Sequence, residues 1–143
     1  MANEIVIRAS LQVRNGNLNE QTQPTGFNDN QLSALGPTPG QLLIGLGHTI
    51  ISFAAVGPNP GWCWIYNSDP ISYVEWGVYV PSLSAFLPIG EVWPGKAQLI
   101  FLSKYLGQDQ VPGTGTTPAA GTFQFAMKAV GAPATVIIKA FSR

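Results

Sequence analysis

Charge is what this 143-residue chain has least of. Seven Lys and Arg stand against seven Asp and Glu, 10% of the residues, for a formal net charge of zero. Soluble domains typically carry about 25% charged residues. The sequence has no Lys/Arg run, so it lacks the phosphate-neutralising patch that drives nucleic-acid binding. Few charges also mean weak self-repulsion and little help with solubility, so a surface covered by neighbours is expected. Cysteine is nearly absent: Cys63 stands alone, which excludes an internal disulfide. Long apolar runs are missing too. None approaches the roughly 18 residues that a membrane-spanning helix needs, and no membrane partner is expected. The segment Met1-Ala2-Asn3-Glu4-Ile5 lacks the basic and apolar regions of a secretory leader. The expectation is synthesis in a reducing cytoplasm.

Glycine and proline fill part of the gap, at 16 and 12 residues. Both disfavour helix interiors, by about 1 and 3 kcal/mol. Their spread leaves short apolar runs between turn signals, the pattern of a β-sandwich or barrel. The length suits one domain with a core that needs no staple. We therefore expect a single all-β domain over residues 1–143, an antiparallel sandwich or jelly roll of about eight strands.

The first strand reads from Ile5, Ile7, Ala9, Leu11 and Val13, which alternate with mostly polar neighbours as a half-buried strand does. Asn15-Gly16 follows as a turn. Residues 17–40 are rich in Asn, Gln, Thr, Pro and Gly. A connection of that length is unusual inside a compact domain, and it reads as an extended arm or long loop. Its large apolar residues, Leu18, Phe27, Leu32 and Leu35, are candidates to dock on a partner.

Further strands are expected at Gln41–Phe53, Trp62–Tyr66, Ser72–Val80, Ala85–Pro88, Ala97–Leu106, Thr122–Val130 and Ala134–Phe141. A bulge is expected near Gly45 and Gly47. In the second of these strands Trp62, Trp64 and Tyr66 share one face, and Cys63 and Ile65 the other. Lys96–Leu106 contains no Gly or Pro and also fits a helix of about three turns; its β-rich surroundings decide for a strand.

Little here points to catalysis, and none is expected. A Ser–His–acid arrangement would have to use His48, the only histidine, and it lies inside an expected strand. His48 and Cys63 together lack the paired spacing of a zinc site, so no metal or cofactor is expected. The carboxylates Glu4, Glu20, Asp29, Asp69, Glu75, Glu91 and Asp109 could supply the two that glycosidases need, but no pair stands out. Gly45-Leu46-Gly47-His48 lacks the third glycine of a dinucleotide fingerprint, and Gly113-Thr114-Gly115-Thr116-Thr117 lacks a phosphate-loop lysine. Four tryptophans remain: Trp62, Trp64, Trp76 and Trp93. They suit a core, a protein interface or a sugar-stacking platform. Trp62 and Trp93 adjoin turns and are the expected exposed pair.

The run Trp62–Gly77, with Asn67, Asp69, Ser72, Val74 and Gly77 in an N-x-D-x-x-S-x-V-x-x-G pattern, and the run Phe86–Lys96 carry a resemblance. They are similar to the small β-sandwich virion proteins of tailed bacteriophages, with Pro94-Gly95-Lys96 where that family has Pro-Gly-Glu. The resemblance implies a non-enzymatic capsid decoration, or cement, protein located in the virion. Its expected partners are the major capsid protein or other virion subunits, and a homotrimer is the expected oligomer. A tail, head-tail or spike-associated subunit, or a carbohydrate- or receptor-binding module, is the alternative.

Overall fold

The structure, a computed structural model, describes residues 4–22, 25–30, 36–56, 60–102 and 123–142. The chain is all-β. Among the described residues it has no α-helix, only single 3-10 turns at Ala54–Val56 and Pro81–Leu83. It divides into two compact units, Met1–Ala34 and Leu35–Ser142.

The first unit holds two antiparallel ribbons. Strands β1 (Glu4–Ala9) and β4 (Thr25–Asn30) form one; β2 (Gln12–Asn15) and β3 (Leu18–Gln21) form the other. The expected first strand is thus two, parted at Ser10-Leu11. The segment 17–40, expected as an extended arm, instead contains β3, β4 and the first residues of the next strand. The reason is physical. A two-stranded ribbon can be wet on both faces, so its residues need not alternate, and polar strands such as Leu18–Gln21 give no apolar signal. The hairpin loop is Gly16-Asn17, with Gly16 at φ +56°, the first central position where a type II′ turn needs glycine. The Leu11 N–H donates to Thr22 Oγ1 and the Thr22 N–H to the Leu11 carbonyl, each at 2.8 Å, which extends this ribbon by one rung. Expected docking residues Leu18 and Phe27 fall on β3 and β4. Leu32 and Leu35 lie outside the described residues.

The second unit is a sandwich of two four-stranded sheets. Its strands are β5 (Thr38–Ile44), β6 (Thr49–Ile50), β7 (Pro60–Asn67), β8 (Tyr73–Val80), β9 (Ala85–Val92), β10 (Ala97–Phe101), β11 (Gln124–Val130) and β12 (Ala134–Ser142). One sheet runs β10-β7-β12-β5 and the other β6-β11-β8-β9. Every ladder is antiparallel. The fifth strand pairs with the twelfth, the sixth with the eleventh, the seventh with the tenth and the eighth with the ninth. Such nested pairing is what a single long hairpin gives when it is rolled up, with β7–β12 and β8–β11 as the seams. This is jelly-roll topology.

The nesting explains a second departure from expectation. Gln41–Phe53 is not one bulged strand. Residues Gly45 to His48 carry the chain from β5 in one sheet to β6 in the other. The last ambiguous segment is a strand over Ala97–Phe101; residues 103–106 lie outside the described ones.

Alternation builds the core. On β7, Cys63 and Ile65 are buried while Trp62, Trp64 and Tyr66 are half-buried on the opposite face. On β12, Ala134, Val136, Ile138 and Ala140 point in. Phe125, Met127 and Ala129 of β11 and Val74 of β8 meet them from the other sheet, with Ile44, Ile51, Phe53, Val56, Val92 and Leu102 filling the ends. Phe53 and Phe125 pack edge to face at 5.5 Å. Each fully buried large side chain contributes about 1.5–3 kcal/mol by leaving water. Burial pushes the Cys63 thiol up to about 12, so it stays protonated and unreactive.

Candidate interaction surface

One end of the sandwich is pinned by polar contacts. Asn67, at the end of β7, is fully buried. Its Nδ2 donates to the carbonyls of Ser72 at 2.8 Å and Val92 at 3.0 Å. Its Oδ1 accepts from the Asp69 N–H at 3.0 Å. Its own N–H donates to the Lys96 carbonyl, and its carbonyl accepts from the Gly95 N–H. Asp69 Oδ1 accepts from the N–H groups of Ser72 (2.6 Å) and Ile71 (2.9 Å). These two bonds hold its carboxyl below the usual carboxylate range. Ser72 Oγ accepts from the Ala132 N–H at 3.1 Å, and Ser68 Oγ donates to the Thr135 carbonyl at 2.9 Å. Three turns are thereby joined: 68–72, 93–96 and 131–133.

The spaced Asn67, Asp69, Ser72 and Gly77 of the sequence pattern are therefore fold-making residues. Gly77 sits at a register shift in the β8–β9 ladder. A Cβ there would run into the Leu87 carbonyl. The Trp76 indole lies over Gly90 and donates to Gln98 Oε1 at 2.6 Å, tying β8 to β10 across the sandwich. Its ring also packs on Phe125, so Trp76 belongs to the core.

The other tryptophans do not. Trp62, Trp64 and Tyr66 line the outer face of β7. Register places Phe101 beside Trp62, Leu99 beside Trp64 and Ala97 beside Tyr66 on β10. On the other flank Lys139 lies beside Trp64 and Ile137 beside Tyr66 on β12. Trp62 meets Phe101 edge to face at 4.9 Å, and Trp64 stacks on Tyr66 at 5.6 Å. Lys139 Nζ stands 5.5 Å over the Trp64 ring, an arrangement worth about 0.5–1 kcal/mol where exposed. Leu99 and Phe101 are 43% and 46% exposed. Lys139 is the one charge on the outer face of β10, β7 and β12. Of the expected exposed pair, Trp93 is 58% exposed and stacks on Tyr73 at 5.3 Å, whereas Trp62 is half-buried.

Sequence reasoning missed Leu99 and Phe101. Leu99-Ile100-Phe101 is a continuous apolar run whose faces the sequence does not assign, and only the pairing of β10 with β7 shows which aromatics Leu99 and Phe101 extend. The edges of the sandwich differ in the same direction. Pro88 and the register shift interrupt β9, Pro39 sits in β5, and β6 is two residues long. These are the usual ways an edge is blunted. β10 has neither proline nor charge.

Of the described residues weighed for catalysis, only Glu75 and Glu91 are brought together by strand pairing. His48 is exposed between β5 and β6, its ring stacked on Tyr79 at 4.0 Å. Glu75 and Glu91 stand directly opposite each other on β8 and β9, with Lys128 opposite Glu75 on β11. Glu4, Glu20 and Asp29 lie on β1, β3 and β4. Asp109 lies outside the described residues. Among the described residues no three His, Cys, Asp or Glu side chains gather as metal ligands would.

The fold is a jelly-roll β-sandwich whose β10, β7 and β12 present aromatic and apolar side chains on their outer face. No protein-family model matches the chain, nor does any curated protein or solved structure.

Proposed function

We propose that this chain is a non-enzymatic structural subunit of a virion, a capsid decoration protein that binds and stabilises capsomers through the outer face of β10, β7 and β12. The observation that carries the reading is that face: Trp62, Trp64, Tyr66, Leu99, Phe101 and Ile137 with one charge, Lys139. Contiguous exposed apolar surface on a soluble protein marks an interaction site, and clustered Trp and Tyr are the residues that anchor protein contacts. The low charge of the whole chain supports the same reading. So does the jelly roll, an architecture used in viral capsid and lectin domains, though fold alone does not assign function.

The rings also favour a protein partner over a sugar on this face. Trp64 and Tyr66 stack on one another and Trp62 and Phe101 meet edge to face, so less flat ring is left for a pyranose to lie on. The test is binding of the purified protein to virus particles assembled without it, scored by co-sedimentation. Trp64→Lys is expected to abolish binding while leaving the melting temperature within a few degrees of the parent. Undiminished binding sinks the reading. A glycan-binding tip is the second reading, on the strength of exposed Trp93 stacked on Tyr73. Glycan-array binding that Trp93→Ala removes, with no particle binding, would replace the first.

A further inference from the structure

The outer face of β11, β8 and β9 carries a stacked aromatic pair toward each end of β8. Tyr73 opens the strand and stacks on Trp93, with ring centroids 5.3 Å apart and planes 18° from parallel. Tyr79, near its other end, stacks on His48 at 4.0 Å and 15°. Trp93 is 58% exposed, and His48 is exposed, so both pairs keep ring surface in contact with water. The two tyrosines stand about 20 Å apart along the strand. Glu75 lies between them on β8, with Glu91 beside it on β9 and Lys128 beside it on β11. Tyr73, Glu75 and Tyr79 share one face by period, opposite to the buried Val74 and Val80.

We propose that this face binds a neutral, linear oligosaccharide laid along β8, with one sugar ring on each aromatic pair and hydroxyl groups on the charged side chains between them. The inference rests on the second reading above, a glycan contact at Trp93, and deepens it: the site is extended, and its far end is the His48–Tyr79 pair. The chemistry of the face selects this ligand. Flat rings accept the apolar C–H side of a sugar. Carboxylates accept hydrogen bonds from its hydroxyls, and an ammonium donates to them. A nucleic-acid strand also stacks on aromatic rings but needs cations along its backbone, and here two carboxylates stand against one ammonium. A protein partner wants a centre depleted of charge, whereas this face has its charges between its rings. The aromatic face of β10, β7 and β12 differs on the same point. Its one charge, Lys139, can donate to a hydroxyl but cannot accept from one.

The experiment is titration calorimetry of the full chain with cello-, malto-, manno-, xylo- and chito-oligosaccharides, each from disaccharide to hexasaccharide. At least one series is expected to bind, with affinity that climbs with length as the sugar comes to reach both pairs. Trp93→Ala and His48→Ala should each weaken the hexasaccharide about tenfold, the worth of one aromatic stack. His48→Ala should leave the disaccharide, held at Trp93, unchanged. Glu91→Gln, which alters no ring, should weaken the hexasaccharide to a lesser degree, and it covers the case of a ring variant that fails to fold. Trp64→Lys, on the opposite sheet, should leave sugar binding as it is. No binding in any series overturns this inference and the second reading together. Binding that Trp93→Ala removes, but that neither grows with length nor responds to His48→Ala, overturns this inference and leaves the second reading standing. Hexasaccharide affinity unchanged in Trp93→Ala, His48→Ala and Glu91→Gln places the sugar elsewhere and overturns it too.

Discussion

The outer face of β10, β7 and β12 carries Trp62, Trp64, Tyr66, Leu99 and Phe101 with only Lys139 charged, whereas the outer face of β11, β8 and β9 carries Lys128, Glu75 and Glu91 in one row. Their inner faces do not differ in this way. Ile65, Val136 and Ile138 on one sheet meet Val74, Phe125 and Met127 on the other. Folding dictates the inner faces, since both sheets must remove apolar surface from water in the same space. It places no such demand outside. The outer contrast is one of charge, three charged side chains in a row on one face and one on the other, while Tyr73, Tyr79 and Phe86 keep aromatic rings on the charged face as well.

The largest expected effect tests the likeness of the interiors. Phe125→Ala on one sheet and Ile138→Ala on the other should each destabilise the sandwich by several kcal/mol, about 3–5 for the phenylalanine and 2–5 for the isoleucine. Denaturant unfolding followed by tryptophan fluorescence measures both. If one variant is nearly neutral, the two sheets do not share a core on equal terms. Next comes the polar tie between the sheets. Asn67→Ala strands the buried carbonyls of Ser72 and Val92, at a cost of about 3 kcal/mol, since each unsatisfied buried group costs roughly 1–3. A change below about 0.5 kcal/mol, the range of ordinary surface substitutions, would show that water replaces the side chain. The smallest effect belongs to the charged face. Glu91→Gln removes a like-charge neighbour of Glu75 and should alter stability by less than about 0.5 kcal/mol, in the stabilising direction. It should leave particle binding intact. Loss of binding in Glu91→Gln would make both faces functional and end the contrast.

Much of the sandwich was legible because its signals are local. Trp62-x-Trp64-x-Tyr66 against Cys63-x-Ile65 assigns faces by period alone. The turns at Asn67–Pro70, Pro94-Gly95 and Gly131–Pro133 contain residues that favour them. The rest is decided by pairing between distant strands. Polar sequence hides strands β3 and β4, Leu18–Gln21 and Thr25–Asn30. The run from Gln41 to Phe53 looks continuous until β5 and β6 are seen in different sheets. The same holds for the surface. Trp62 stands out in the sequence for its position beside a turn, but Leu99 and Phe101 gain meaning only from lying next to it and Trp64. Asn67 reads as a turn residue from sequence. Its reach to Val92, in the other sheet, depends on a contact between segments 25 residues apart.

The rolled hairpin also sets an order of events on the ribosome. Strand β7 pairs with β10 and β12, both of which emerge after it. Strand β5 waits for β12, and Thr38 and Ala140 are partners roughly a hundred residues apart, the kind of high contact order that places folding in the milliseconds-to-seconds range. Through that interval Trp62, Trp64 and Tyr66 sit on a strand with neither neighbour yet in place. A chain with so little charge has few means of keeping such a strand from others like it. The nested topology that closes the core thus leaves this aromatic strand without its neighbours until β10 and β12 are synthesised.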